Sequence, residues 1–310
     1  SDIVTQWNLL VLGINLPDHG HIFLGGRLQA LMHAAIYDAV AAFDDTYAPY
    51  LETTPPPAGA SMEAAATAAA YQVLFTATTD PTQRAVIQAR LDDHLADIPD
   101  GQAEAAGVTF GQHVAEAIMI LRATDGAMMA LHMEHPDGTL PGEWRRTASG
   151  APLGPGWGLV TPWVMTSGDQ FRGDGPPALT SAEYAADYEE VRLVGDVDSA
   201  SRTADQTAAA LFWQHHPQLK WYEVARDISQ VEALTMVENA QLFHLLSVAM
   251  ADATIAAYDT KYVYSFWRPE TAIQLGDTDG NDATEADPTW QPLIPSPAFP
   301  EYYSGHSANS

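Results

Sequence analysis

Between residues 27 and 44 the chain places Leu28, Leu31, Met32, Ala35, Ile36, Ala39, Val40 and Phe43 at steps of three and four. That spacing stacks apolar side chains on one face of an α-helix, and such a face has to be buried against another element. Spans 61–78, 80–97 and 103–123 repeat the pattern, separated by Asp80-Pro81 and by the cluster from Ile98 to Gly101. Alternation of period two is absent over any useful length, and there is no internal repeat. The expected class is all-α, a helical bundle treated as a single domain over 1–310.

Residues 124–178 break the pattern with many glycines and prolines and with Trp144, Trp157 and Trp163. An ordered excursion of this length either roofs a site, covers a neighbouring subunit or is a plain surface insertion. Helices are expected again over 180–194 and from Thr203, where Thr203 and Gln206 have capping-box spacing. Further helices are expected over 218–228, 229–259 and 266–275. An acidic loop, 276–288, and a proline-rich segment, 291–300, follow.

Forty acids against thirteen bases give a formal charge of −27. Such a field repels polyanions, so nucleic acid and anionic membranes are poor partners. An acid-rich, lysine-poor surface suits high salt, where repulsion is screened. No run of about 18 apolar residues stands out, so no membrane span is expected. The absence of cysteine excludes disulfides, thiolate metal sites and cysteine nucleophiles. Only Lys220 and Lys261 represent lysine, which draws attention to the segment around Lys261.

Two segments concentrate chemistry. In Lys261-Tyr-Val-Tyr-Ser-Phe-Trp-Arg268-Pro269 the two cations are seven residues apart, close to two helical turns, so they can share a face. Pro269 suits a helix start or a break after Arg268. Two cations walled by Tyr264, Phe266 and Trp267 make sense around a multiply charged anion. The same residues also fit two separate surface cations, each paired with an acid. In Pro297-Ala-Phe-Pro-Glu-Tyr-Tyr-Ser304-Gly305-His306, Ser304 reads as a helix N-cap, and Gly305 permits close backbone approach to a ligand. The new helix would turn its positive end to that ligand, and His306 would exchange a proton.

Together the segments resemble the vanadium-dependent haloperoxidases and type-2 phosphatidic acid phosphatases, whose signature runs Lys-x6-Arg-Pro and then Ser-Gly-His. Val4-Thr-Gln-Trp7-Asn8, Leu31-Met-His33-Ala-Ala-Ile-Tyr37-Asp38, Ser201-Arg202-Thr203-x-x-Gln206 and Phe266-Trp267-Arg268-Pro269 are similar to the bacterial haloperoxidase branch. The resemblance implies a helical bundle of the haloperoxidase and acid phosphatase type, with long irregular loops and with vanadate as cofactor. Lys261 and Arg268 would bind its equatorial oxygens, and Lys261 would also polarise a bound peroxide. Ser304 and the Gly305 N–H would complete the hydrogen bonds, and His306 would be the acid–base group near the apical oxygen. Phe299 would lie beside the halide, with Tyr302 and Trp267 as walls of the substrate site. The implied partners are hydrogen peroxide, a halide and a small organic substrate, in a secreted or periplasmic protein that forms a homodimer in many relatives. Phosphoester hydrolysis in the same pocket, or a non-catalytic role, would use the same scaffold.

Two departures stand out. Tyr303 occupies the position where the family usually has proline before Ser-Gly-His. The family's third motif, which carries a second arginine and the vanadium-ligating histidine, is not among these 310 residues, so the resemblance implies a separate or additional C-terminal segment. Ser201-Arg202 has no histidine at the right distance and is rejected as a substitute.

Weaker signals remain. Asp277-Thr-Asp279-Gly280-Asn281-Asp282 is calcium-loop-like in composition but not in order, and reads as a solvated acidic loop. His19/His21, His132/His135 and His215/His216 lack helical zinc-site spacing. His33 and His244 are expected to be buried and hydrogen-bonded.

Overall fold

The computed structural model describes residues 2–14, 21–147, 150–214 and 217–309. Its regular structure is helical; among the described residues β-pairing is confined to two isolated bridges, Glu143 with Phe266 and Asp196 with Pro292. The chain divides into two compact units, Ser1–Asp125 with Gln218–Asp252, and Gly126–Pro217 with Ala253–Ser310.

The first unit contains α1 (Ile3–Leu12), a π-turn (His21–Gly25), α2 (Gly26–Ala41), α3 (Met62–Ala77), α4 (Pro81–Ala96) and α5 (Gln102–Arg122). Asp2 and Asp80 cap α1 and α4 by accepting from Thr5 N–H and Gln83 N–H. The periodicity of α2 suggests one apolar face, yet Ala30, Met32, Ala34, Ala35 and Ile36 are all fully buried. The small residues between the large ones let neighbours close over every side of this helix. Helices α3 and α5 approach closely because alanine faces glycine: a Cβ on Gly107 would stand 2.3 Å from Ser61 O, and one on Gly111 2.1 Å from Ala65 O.

The sequence suggests adjoining helices over 218–228 and 229–259. The structure instead ends α9 (Pro217–Val231) two residues before Ala233, at φ +51°, and starts α10 (Met236–Tyr264) after a new cap. Thr235 and Glu238 form it reciprocally, with Thr235 N–H donating to Glu238 Oε2 at 2.8 Å and Glu238 N–H to Thr235 Oγ1 at 3.3 Å. The part of α10 up to Asp252 belongs to the first unit and the remainder to the second. Contrary to the expectation from apolar runs, α10 is long and apolar enough to cross a membrane, although 67% of its most apolar window is buried within the protein, as in a core helix.

His33 and His244 are buried in the first unit. His33 Nε2 lies 3.0 Å from the Asn8 amide nitrogen, whose oxygen accepts from Arg226 at 2.6 Å. For His244 the hydrogen-bonding expectation gives way to stacking: its ring lies 4.6 Å from that of Tyr37, nearly parallel, and Nδ1 has no partner.

The second unit comprises α6 (Ala127–Ala130), a 3-10 turn (Trp157–Leu159), α7 (Ala182–Gly195), α8 (Ala204–Trp213), the end of α10, α11 (Pro269–Gln274), a 3-10 turn (Gly276–Thr278) and α12 (Gly305–Ala308). Thr203 and Gln206 form the expected capping box, and Pro269 takes the first position of α11. Trp144, Trp157 and Trp163 are buried. The irregular excursion that carries them braces the end of α10: Trp144 N–H donates to Ser265 O, Trp267 N–H to Gly142 O, Tyr262 Oη to Leu153 O, and Arg172 pairs with Asp259 at 2.8 Å. The acidic loop is less solvated than its composition suggests. Asp279 is buried and accepts from Thr284 Oγ1 and Asn281 N–H, while Asn281 donates to Leu179 O and Ser181 O. A hydroxyl and backbone amides offset the burial of that carboxylate.

Candidate oxyanion site

Lys261 lies in the last turn of α10 and is 1% exposed. Its ammonium donates to Pro300 O at 3.0 Å and Glu301 O at 2.8 Å, which leaves the third of its three donors uncommitted. Burial pushes its pKa down to about 7; the Glu301 carboxylate opposes that shift and the Arg268 charge adds to it.

Arg268 does not share a helical face with Lys261, as the seven-residue spacing suggested. Helix α10 ends at Tyr264, Ser265 adopts φ +44°, and Arg268 is the extended N-cap of α11. The turn, not the helix, brings the two cations round one aromatic ring. Lys261 Nζ is 5.0 Å and the Arg268 guanidinium carbon 5.3 Å from the centre of Phe299. Each cation gains from the ring's negative face. Arg268 Nη1 is 2.6 Å from Glu301 Oε2, whereas its Nε is buried with no partner.

Gly305 completes this side of the cluster, since a Cβ there would lie 4.0 Å from Lys261 Cε. Ser304 is an N-cap, accepting from Ser307 N–H at 3.3 Å. The helix it caps is a single turn of four residues, so little macrodipole develops and individual N–H groups matter more than the helix end. His306 is exposed and follows Gly305 directly, about 3.8 Å away along the trace. Trp267 is buried against Tyr184, Tyr188, Ile273 and Trp290, and Tyr302 packs edge-on to Tyr264 at 5.5 Å.

Two residues escaped the sequence reading. Glu301 is the acid on Arg268, so one of the two cations has the paired acid of the blander alternative while both gather at one ring. Tyr258 meets Phe299 edge-on at 5.4 Å, and burial raises its phenol pKa while Arg268 lowers it. Its position one turn before Lys261 on α10 was the available signal. The donor set as it stands fits an oxyanion: an orphaned buried guanidinium N–H, a spare ammonium hydrogen and a side-chain-free glycine backbone.

The histidine pairs do not form a metal site among the described residues. His135 Nε2 lies 2.8 Å from Ser265 Oγ. His19, His215, His216 and the His21 side chain lie outside the described residues.

Residues 241–310, which hold every member of the cluster, match the VCPO second helical-bundle domain. The matched relatives and solved structures are vanadium-dependent haloperoxidases. Vanadium chloroperoxidase from Curvularia inaequalis is 28% identical over 186 residues, 49% of this chain and 30% of that protein, so the aligned part spans less than a third of the relative. A solved bacterial vanadium-dependent iodoperoxidase shares the fold with TM-score 0.78 at 24% identity, over 98% of this chain and 75% of that one. An apo-type bacterial vanadium-dependent chloroperoxidase shares it with TM-score 0.72 at 16% identity, over 97% and 78%. The all-α class expected from periodicity holds, and the solved structures that share the fold are helical bundles of the same kind.

Proposed function

We propose that this chain forms the oxyanion-holding part of a vanadium-dependent haloperoxidase that oxidises a halide with hydrogen peroxide to hypohalous acid. The observation that carries the reading is the convergence of Lys261 and Arg268 on Phe299 beside Gly305, with Arg268 Nε buried and unbonded. A buried cation and a half-buried one close to one another repel unless an anion offsets them, and Glu301 supplies only one negative charge.

In this reading Lys261, Arg268, Ser304 and the Gly305 N–H hold vanadate. When bound, vanadate supplies the Lewis-acidic centre at which peroxide becomes able to oxidise halide. Lys261 keeps its proton beside an anion and directs it at the oxygens. Phe299 and Tyr258 exclude water from the cations, which strengthens each charge–charge interaction. His306 would exchange a proton with the bound oxyanion. The reading calls for a vanadium-ligating histidine from a C-terminal segment outside residues 1–310. It extends to a homodimer exported to the periplasm or beyond.

The test is bromination of a phenol dye by the full-length protein, with orthovanadate, bromide and peroxide each omitted in turn. Turnover that requires all three is expected. No turnover at saturating vanadate defeats the reading, and vanadate-inhibited hydrolysis of p-nitrophenyl phosphate without bromination replaces it with phosphoester hydrolysis. Mass spectrometry of the purified material tests for the additional histidine-bearing segment.

A further inference from the structure

Helix α8 belongs to the second unit, and none of its ten residues is buried. After Asp205 it carries no charge, since residues 206–213 are Gln, Thr, three Ala, Leu, Phe and Trp. Leu211, Phe212 and Trp213 are 47%, 51% and 47% exposed. Helix α7 of the same unit shows the ordinary pattern: Tyr184 and Tyr188 are buried, while Glu183, Asp187 and Glu190 face solvent. A surface helix keeps a polar outer face, and a helix that is apolar all round is a buried one. At ten residues α8 is also shorter than the roughly 12–15 residues at which an isolated helix begins to hold in water. It is fastened at its first turn, by the capping box and by Arg202. That guanidinium donates from Nη1 to Val194 O at 2.7 Å and Asp196 O at 2.6 Å, and from Nε to Thr207 Oγ1 at 3.0 Å. The large apolar side chains lie at the opposite end.

The size of α8 narrows what covers it. Ten residues make a helix about 15 Å long. A lasting interface between separate chains buries about 1,200 Å² or more, which one face of such a helix does not supply. A second copy would also bring its own charge of −27 to the contact. A segment of the same chain needs less contact area, because its effective concentration is high. The solved relatives leave room for one: this chain covers 75% of the first and 78% of the second, so part of each lies outside the match. Helix α12, which runs up to the end of the described residues, belongs to the same unit as α8.

We propose that α8 is the docking surface for an apolar helix of the C-terminal segment that carries the vanadium-ligating histidine, seated on the end marked by Leu211, Phe212 and Trp213. The existence of that segment rests on the haloperoxidase reading; its seat rests on α8. Docked there, the segment is held in the unit that contains Lys261 and Arg268.

The test uses the full-length protein. Mass spectrometry reads whether residues follow 310, and their absence, with no companion fragment, overturns the proposal. p-Benzoylphenylalanine placed at position 211 and irradiated should cross-link to residues beyond 310 at the mass of a monomer. A cross-link to a second copy, a cross-link confined to residues 1–310, or none at all overturns it. In the unaltered protein, amide exchange over residues 204–213 should be slowed at least about thirtyfold relative to an unstructured peptide, and weaker protection overturns the proposal as well. A segment cross-linked to α8 without vanadate-dependent bromination sinks the haloperoxidase reading and leaves the docking. Bromination by a protein whose α8 stays uncovered does the reverse.

Discussion

Arg268 Nη1 lies 2.6 Å from Glu301 Oε2, so the guanidinium that would hold an oxyanion already holds a carboxylate of its own chain. An incoming anion must compete with that carboxylate or share the guanidinium through the unbonded Nε edge. Glu301→Gln keeps the shape and the backbone carbonyl that Lys261 uses, and it removes one negative charge. At pH 6 orthovanadate and phosphate should both bind about tenfold tighter to this variant. Unchanged or weaker affinity by calorimetry would show that the carboxylate does not compete.

At pH 10, where burying the lysine costs little because it is neutral when folded, Lys261→Met removes the donor from Pro300 O and Glu301 O and leaves the orphaned carbonyls at a loss of about 1–3 kcal/mol, seen as a lower Tm. Vanadate-dependent bromination should fall at least a hundredfold. Retention of both stability and turnover would remove Lys261 from the site.

The same lysine sets a pH dependence. Its folded pKa is about 7 against an ordinary lysine value of 10.5, so between those values the folded chain binds fewer protons than the unfolded one. Stability should therefore rise from pH 7.5 to 9.5 without added anion, and that rise should shrink in Lys261→Met. The check is thermal melting at fixed ionic strength, and a rise of equal size in both proteins contradicts it.

Acid behaviour centres on His244, whose pKa is lowered by burial to about 4, and on His33, lowered to about 3 by burial and by His244. Both stay neutral in the folded chain while the unfolded chain protonates near 6.5, so stability falls as pH drops from 6.5 towards 4. His244→Phe preserves stacking on Tyr37 and should remove about 2 kcal/mol of that fall, read from urea midpoints at pH 6.5 and 4.5. Identical acid slopes in the two proteins would contradict it.

Gly111→Ala should be the harshest small change in the first unit. Its new Cβ meets the Ala65 carbonyl at 2.1 Å, and both partners are backbone of packed helices. A loss of about 3 kcal/mol is expected from chemical denaturation. A Tm within a degree or two of the parent would mean that α3 and α5 can separate freely.

What could be read before any coordinates was local. Three- and four-residue periodicity marked α2 through α5, Thr203 and Gln206 announced their cap, and Pro269 announced the start of α11. The Thr235 and Glu238 pair has the same capping spacing, and it starts α10 at Met236 instead of at 229. Spacing also placed Lys261 and Arg268 together for the wrong reason, because a helical step count ignores a chain that leaves the helix at Ser265.

Composition and order of residues alone determined an all-helical chain, its anionic surface and the two segments that carry the cations and Ser304-Gly305-His306. Only the tertiary structure decided that Lys261 and Arg268 both approach the ring of Phe299, that Glu301 neutralises the arginine, and that Tyr184 and Trp267 line one pocket. Helix periodicity and caps depend on neighbours within about four residues, which a sequence displays. Those other pairings join residues 31 to 83 positions apart, and they are selected by which buried polar groups the packed core leaves to satisfy one another.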